Sequence, residues 1–227
     1  MIIESIVLYI FYILIPILAI YLGYLIITKA FNEMGFTSLE AIIIVFGSFL
    51  LGSGLIDRYV GFPFANIPLF MYQNWQVGMN TGGAVIPLLL SAFLIIKHKL
   101  PLTKILLGVV LVAGITYLVT YPDPEKGIVS VFPLWLLPVI FASISSIFLL
   151  WKTKRNAAPV AYITGTIGVL LGADLLHLFA LLSIEIKTTQ KAVIGGANIF
   201  DMIFLTGILA VLLDGIFLFN KKKKKQE

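Results

Sequence analysis

AAPVAYITGTIGVLLGADLLHLFALL (157–182) is apolar throughout except for one acid, Asp174, one histidine, His177, and scattered hydroxyls. It exceeds the ~20 apolar residues that cross a bilayer. An acid in such a setting costs about 2.5–3.5 kcal/mol on insertion scales, so it marks a functional site by default. The next apolar stretch, VIGGANIFDMIFLTGILAVLLDGIFLF (193–219), carries a second acid, Asp201, after a Gly-rich start. Two acids on consecutive membrane-length segments decide how the rest of the chain is read.

The remainder has the same character. The chain is 60% hydrophobic and 12% charged, with a mean hydropathy of +1.06. A soluble domain carries about twice that charged fraction. There is no cysteine, which excludes disulfides, thiolate metal sites and cysteine nucleophiles. The net charge of +5 comes from Lys221 to Lys225, so it does not indicate a nucleic-acid partner. No metal and no cofactor is expected.

The pattern predicts an all-α bundle of about seven spans, near Ile2–Thr28, Leu39–Ile56, Asn80–Ile96, Leu102–Thr120, Val131–Trp151, Ala157–Leu182 and Val193–Phe219. Twelve of the 16 basic residues fall in alternate connections: Lys29, Lys97, Lys99, Lys104, Lys152, Lys154, Arg155 and the terminal lysines. The positive-inside rule then puts the N-terminus outside and the C-terminus in the cytoplasm. Residues 1–220 form one transmembrane domain and 221–227 a basic cytoplasmic tail. The expected location is the cell membrane, as a multi-pass protein, with the lipid bilayer as first partner. Between Asp57 and Met79 the segment is too apolar for a solvated loop and too broken by Pro63 and Pro68 for a helix. It is read as an aromatic belt at the interface, with a re-entrant lid as the alternative.

Counting ~1.5 Å per residue from Ser183 and from Val193 puts both acids about 12–14 Å below the outer boundary. Consecutive antiparallel spans are usually neighbours. A small-residue stripe, Ala161, Gly165, Gly168 and Gly172, allows close helix approach on the side opposite Asp174. That makes this helix central. His177 shares the acid's face one turn on, and Asn198 precedes Asp201 by one turn. The expected site is therefore Asp174 and Asp201, with His177, Asn198, Asn80 and Thr81 as substrate- or ion-binding companions. Two carboxyls sharing a proton divide into base and acid for hydrolysis of a transmembrane peptide. The same set would also hold a proton or small cation in a coupled transporter. A structural protein whose acids clamp two helices is the third option. A zinc site from Asp174, His177 and Asp201 is the least favoured use. Asp214, seven residues before Lys221, is read as an interfacial partner for a lysine. Thr164, Thr166 and Thr206 are read as bonding back to their own helices.

Gly165-Thr166, Gly172-Ala173-Asp174-Leu175-Leu176, and Ile194 to Ala197 with Phe200 to Gly207 resemble a prokaryotic integral-membrane family, domain-of-unknown-function family sixteen-fourteen. Asn80, Gly82, Gly83 and Pro87 fit its earlier motif. That resemblance implies a polytopic membrane protein and no assigned reaction. Met202, Asn198 and His177 depart from its usual residues. The Gly195-Gly196-Ala197 start and Asp201 are also similar to intramembrane aspartyl proteases of the presenilin and signal-peptide-peptidase type. That similarity implies Asp174 and Asp201 as catalytic acids, although Ala173 and Phe200, not glycines, precede them.

Overall fold

The computed structural model describes residues 2–151, 153, 156–196 and 202–223. It is mostly helical. The chain runs through α1 (Ile2–Glu33), α2 (Ser38–Gly52), a short α3 (Asp57–Val60), strands β1 (Asn66–Tyr72) and β2 (Trp75–Asn80), and a π-helical turn (Thr81–Val85) leading into α4 (Ile86–His98). Then come α5 (Leu102–Val119), β3 (Thr120–Asp123), β4 (Gly127–Ser130) and α6 (Leu136–Leu149). The 157–182 stretch is α7 (Ala157–Val169), a second π-helical turn (Leu170–Leu175) and α8 (Leu176–Leu182); it is succeeded by β5 (Gln190–Ile194) and α9 (Met202–Lys223).

Four helical stretches are long and apolar enough to cross a membrane: Phe11–Glu33, Thr81–His98, Leu102–Val119 and Ala157–Leu182. Three shorter apolar helices accompany them, Ser38–Gly52, Leu136–Leu149 and Met202–Phe217. Their polarity is inverted relative to a water-soluble bundle. Leu106, Leu107, Val110, Leu118 and Phe148 stand exposed, whereas Ser48, Ser91, Thr116, Ser143, Ser146 and Thr164 are buried. Several of these hydroxyls donate to the carbonyl one turn back, as Thr164 does to Val160 at 2.8 Å and Ser91 to Pro87 at 2.8 Å. Local bonds of this kind satisfy a hydroxyl where no water reaches.

α7 is the central helix. All its residues except Ile167 are buried, and it packs against α9, α5, α6 and α4. The small-residue stripe explains how. A Cβ on Gly168 would lie 2.6 Å from Val112 of α5, and one on Gly165 would lie 3.2 Å from Thr206 of α9. Replacing hydrogen by methyl at Gly168 would force the helices apart. Thr164 bonds back to its helix as expected, but among the described residues the buried hydroxyls of Thr166 and Thr206 make no such bond to their own helices.

Two small sheets correct the all-α expectation. β1 and β2 form an antiparallel hairpin, and β5 adds in parallel to β2, pairing Val77 with Ala192 and Met79 with Ile194. β3 and β4 form a separate hairpin. The Asp57–Met79 segment thus contains the short α3 and the β1–β2 hairpin, with Tyr59, Phe62, Phe64, Phe70 and Tyr72 exposed. β1 is exposed along nearly its whole length, Phe70 and Tyr72 included, whereas β2 buries Trp75 and Val77. The Trp75 indole N–H donates to the Ile184 carbonyl at 3.0 Å, and Asn74 donates to Ile186 at 2.7 Å, which straps the 183–189 connection onto the hairpin.

The last span also needs correction at its start. Val193 lies in β5, so a helical count from Val193 does not give the depth of Asp201. The run Ala192-Val193-Ile194, closed by Gly195-Gly196, is a strand bounded by a breaker. Apolar runs this short do not distinguish strand from helix by periodicity. Where the fifth span was expected over Val131–Trp151, the helix runs only from Leu136 to Leu149. At the opposite end of the bundle, Lys97 donates to the Gly35 carbonyl at 2.9 Å and His98 donates to Met34 at 3.2 Å, joining the α1–α2 and α4–α5 turns.

The two Gly-rich phrases meet. Gly195 has φ +90°, and a Cβ there would lie 2.5 Å from the Ala84 Cβ. A Cβ on Gly83 would overlap the Gly195 carbonyl oxygen. Gly195→Ala therefore combines left-handed backbone strain with overlap and is expected to cost ~1–3 kcal/mol. Thermal unfolding in detergent should show this as a lowered Tm. Gly47→Ala, where no atom lies within 4 Å of the new methyl, should leave the Tm unchanged or slightly raised.

Candidate functional site

Asp174 lies in the π-helical turn Leu170–Leu175, inside the otherwise continuous 157–182 helix. A π turn inserts one residue into the helical ladder, and such turns recur at functional sites. Gly172 lets this turn approach α5, since a Cβ there would lie 2.7 Å from Thr116 Cβ. One carboxylate oxygen of Asp174 accepts the N–H of Gly195 at 2.5 Å. The acid thus holds the breaker that ends β5.

Asn80 anchors the other side of the same junction. It is fully buried, and its Oδ1 accepts the N–H of Gly83 at 2.7 Å, capping the π turn at Thr81–Val85. Its Nδ2 donates to Gly52 at 3.2 Å and to Asn66 Oδ1 at 3.0 Å. Asn80 is thereby a packing cap rather than a ligand reaching for Asp174. Thr81 donates its hydroxyl to the Phe64 carbonyl and its N–H to Ala65 at 2.9 Å. The Asp57 carboxylate accepts the Ala65 N–H at 3.0 Å, closing the turn before β1.

His177 does not join Asp174. Its ring stacks on Tyr117 with centroids 4.4 Å apart, and its Nε2 donates to the Tyr117 carbonyl at 3.1 Å. Helical phase put it on the acid's face, but the π turn shifts the phase between the two, and the ring meets α5. Asn198 and Asp201 lie outside the described residues.

A cleft of about 520 Å³ opens beside Asp174. Its walls are β5 from Gln190 to Ile194, β4 from Gly127 to Ser130, and residues of α8 and α9. Gly196 and Met202, the described residues on either side of 197–201, both line it. Glu125, Lys126 and Lys191 add charge to its walls. Sequence reasoning did not single out these three, and only the strand placement brings them to the cleft. Asp123, at the tip of the β3–β4 hairpin, accepts the N–H groups of Glu125 and Lys126, each at 2.9 Å. Those bonds hold its carboxyl below the ordinary carboxylate value.

Asp214 also departs from expectation. It is 0% exposed and bonded to Ser143 at 2.9 Å and Ser146 at 2.7 Å on α6. It faces α6 within the bundle. The available signal was the Ser143/Ser146 pair, three residues apart and so on one face of α6.

A family profile described as "Protein of unknown function (DUF1614)" matches residues 55–213. No curated protein and no solved structure matches the chain. The comparisons therefore lend no support to the presenilin-type similarity.

The geometry makes two testable demands. Asn80→Ala strips the buried Gly83 N–H and Gly52 carbonyl of a partner and should destabilise by about 1–3 kcal/mol. Asn80→Asp, which keeps the acceptor, should lose less in the same thermal assay. Because the folded Asp123 value is depressed, its contribution is present above its unfolded value, ~3.9, and is lost as pH falls through the lower folded value. Hydrogen exchange at the Glu125 and Lys126 amides, corrected for intrinsic rate, should accelerate over that acid window. Asp123→Ala should abolish the pH dependence.

Proposed function

For a chain that belongs to the DUF1614 family of proteins of unknown function, we propose a hydrolytic membrane protein whose Asp174 cleft acts on extended peptide segments. Seven crossings, with the N-terminus outside, the lysine tail in the cytoplasm and the protein in the cell membrane, accord with the seven apolar helices and the distribution of basic residues. On this reading, lipid contacts the exposed Leu, Val and Phe side chains of α1, α5 and α6.

The observation that carries the reading is the lining of one cleft by Asp174 together with Gly196 and Met202, which flank the segment containing Asp201. In the proposed chemistry, one carboxylate of the pair takes a proton from water. The other, protonated, donates to the scissile carbonyl. Among the described residues β4 and β5 each have one strand partner, and both border the cleft. Such edges offer backbone groups to an extended chain, which selects peptide as the substrate class.

Proton- or cation-coupled transport is the second reading, and one observation favours it. The helix bearing Asp174 is interrupted by its π turn at the acid, and interrupted helices carry the coupling-ion sites of many transporters. The purified protein, with Asp174→Asn and Asp201→Asn, should be assayed for cleavage of transmembrane peptides and for proton flux in liposomes. Hydrolysis predicts cleavage reduced at least ~100-fold by either substitution, with no flux in the wild type. Flux lost in both variants without cleavage would replace the first reading by the second. Activity of either kind that survives both substitutions would remove the site.

A further inference from the structure

We propose that Asp214, with Ser146 and Ser143, forms a reversible proton-binding site between α9 and α6. The site is independent of the Asp174 cleft, whose lining does not include it. Asp214 lies 12 residues into α9 from Met202, ~18 Å along the helix axis. Neither the proposed hydrolysis nor the transport alternative at Asp174 requires it.

The geometry supplies two states. Ser143 Oγ donates to Asp214 Oδ1 at 2.9 Å, and Ser146 Oγ lies 2.7 Å from Asp214 Oδ2. The same Ser146 Oγ lies 2.7 Å from the Ser143 carbonyl oxygen. One hydroxyl proton thus has two acceptors at equal distance. With Asp214 ionised, that proton turns to Oδ2, and the carboxylate receives a donor on each oxygen. With Asp214 protonated on Oδ2, the acid donates to Ser146 Oγ and the serine proton turns to the Ser143 carbonyl. Every polar atom keeps a partner in both states, and the change requires only rotation about one C–O bond. Binding and release of a proton therefore leave the heavy atoms in place.

Full burial makes the proton the natural ligand. Among the described residues the two serines are the only partners of Asp214, and neither is a cation. An ionised carboxylate without a countercharge is disfavoured in an apolar interior, which is why such groups take up a proton. α9 packs against α1, α6, α7 and the π turn at Thr81–Val85. α6 and that π turn carry no titratable side chain, and α7 contributes only Tyr162. On the nearby end of α1 stand Lys29 and Glu33, both exposed. A Cβ on Gly215 would lie 4.0 Å from Glu33 Oε1, which places Glu33 beside α9 at the residue after Asp214. Lys221 to Lys223 complete the set, on α9 itself.

The test is infrared difference spectroscopy of the purified full chain in lipid, titrated with pH. A carbonyl band of a protonated carboxyl is expected that is absent from Asp214→Asn and whose intensity falls reversibly as pH rises. Ser146→Ala, which removes the rotor, should move the midpoint at least tenfold in proton concentration. Should Asp214→Asn not fold, displacement of the band by Ser146→Ala assigns it. A band of constant intensity across the titration would show a permanently neutral clamp, and no such band at any pH would show a permanent carboxylate. Either result overturns the proposal, as does a titrating band that Ser146→Ala leaves unmoved.

Discussion

The junction of the bundle with its sheet rests on one short hydrogen bond, from the N–H of Gly195 to the carboxylate of Asp174. The bond fixes the residue at which β5 stops. Gly195 also presents its carbonyl to Gly83 and its Cα to Ala84, with no space for a side chain at either glycine. Gly83 is held in turn by Asn80, and Asn80 by Gly52 and Asn66. A continuous path of buried polar contacts and glycine packing thus joins α2, the β1–β2 hairpin, the head of α4, β5 and the central helix. In a bilayer, where unsatisfied backbone groups cost several kcal/mol, this path lets irregular backbone persist at the end of a helical bundle.

That path explains why the helices were legible in the sequence and the strands were not. Hydropathy marks α1, α4, α5 and the 157–182 helix without help from tertiary structure, because membrane-length apolar runs have few other uses. The stripe from Ala161 to Gly172 likewise announced a central helix. β5 was absorbed into a span because Ala192-Val193-Ile194 is as apolar as the helix beyond it, and its strand state depends on pairing with β2, more than 100 residues earlier. Long-range pairing leaves no periodic trace in a run this short.

The site residues divide in the same way. Asp174 was legible from cost alone. Asn80 was read as a companion of the acids, whereas its partners in the structure are Gly83, Gly52 and Asn66. An Asn three residues before a buried N–H is first an N-cap, and here it is one. His177 was misplaced because a uniform 100° per residue was applied across a helix that contains a π turn. The recurrence of Gly-Gly-Ala at 82–84 and 195–197 was too short to argue a repeat. In the structure, Gly83 and Ala84 of the first phrase pack on Gly195 of the second.

Asp214 shows how differently two acids on related helices can be used. Asp174 binds a backbone N–H at the strand end of the bundle and borders a cleft with charged walls. Asp214 is sealed between helices and, among the described residues, is held by two hydroxyls and no cation. For Asp174 the surrounding backbone is irregular, so the acid does structural work before any chemistry. For Asp214 the helices on both sides, α6 and α9, are regular. An acid set in regular backbone caps no turn, so its charge or its proton is what it brings to the interface, and the two serines facing it supply what either state requires.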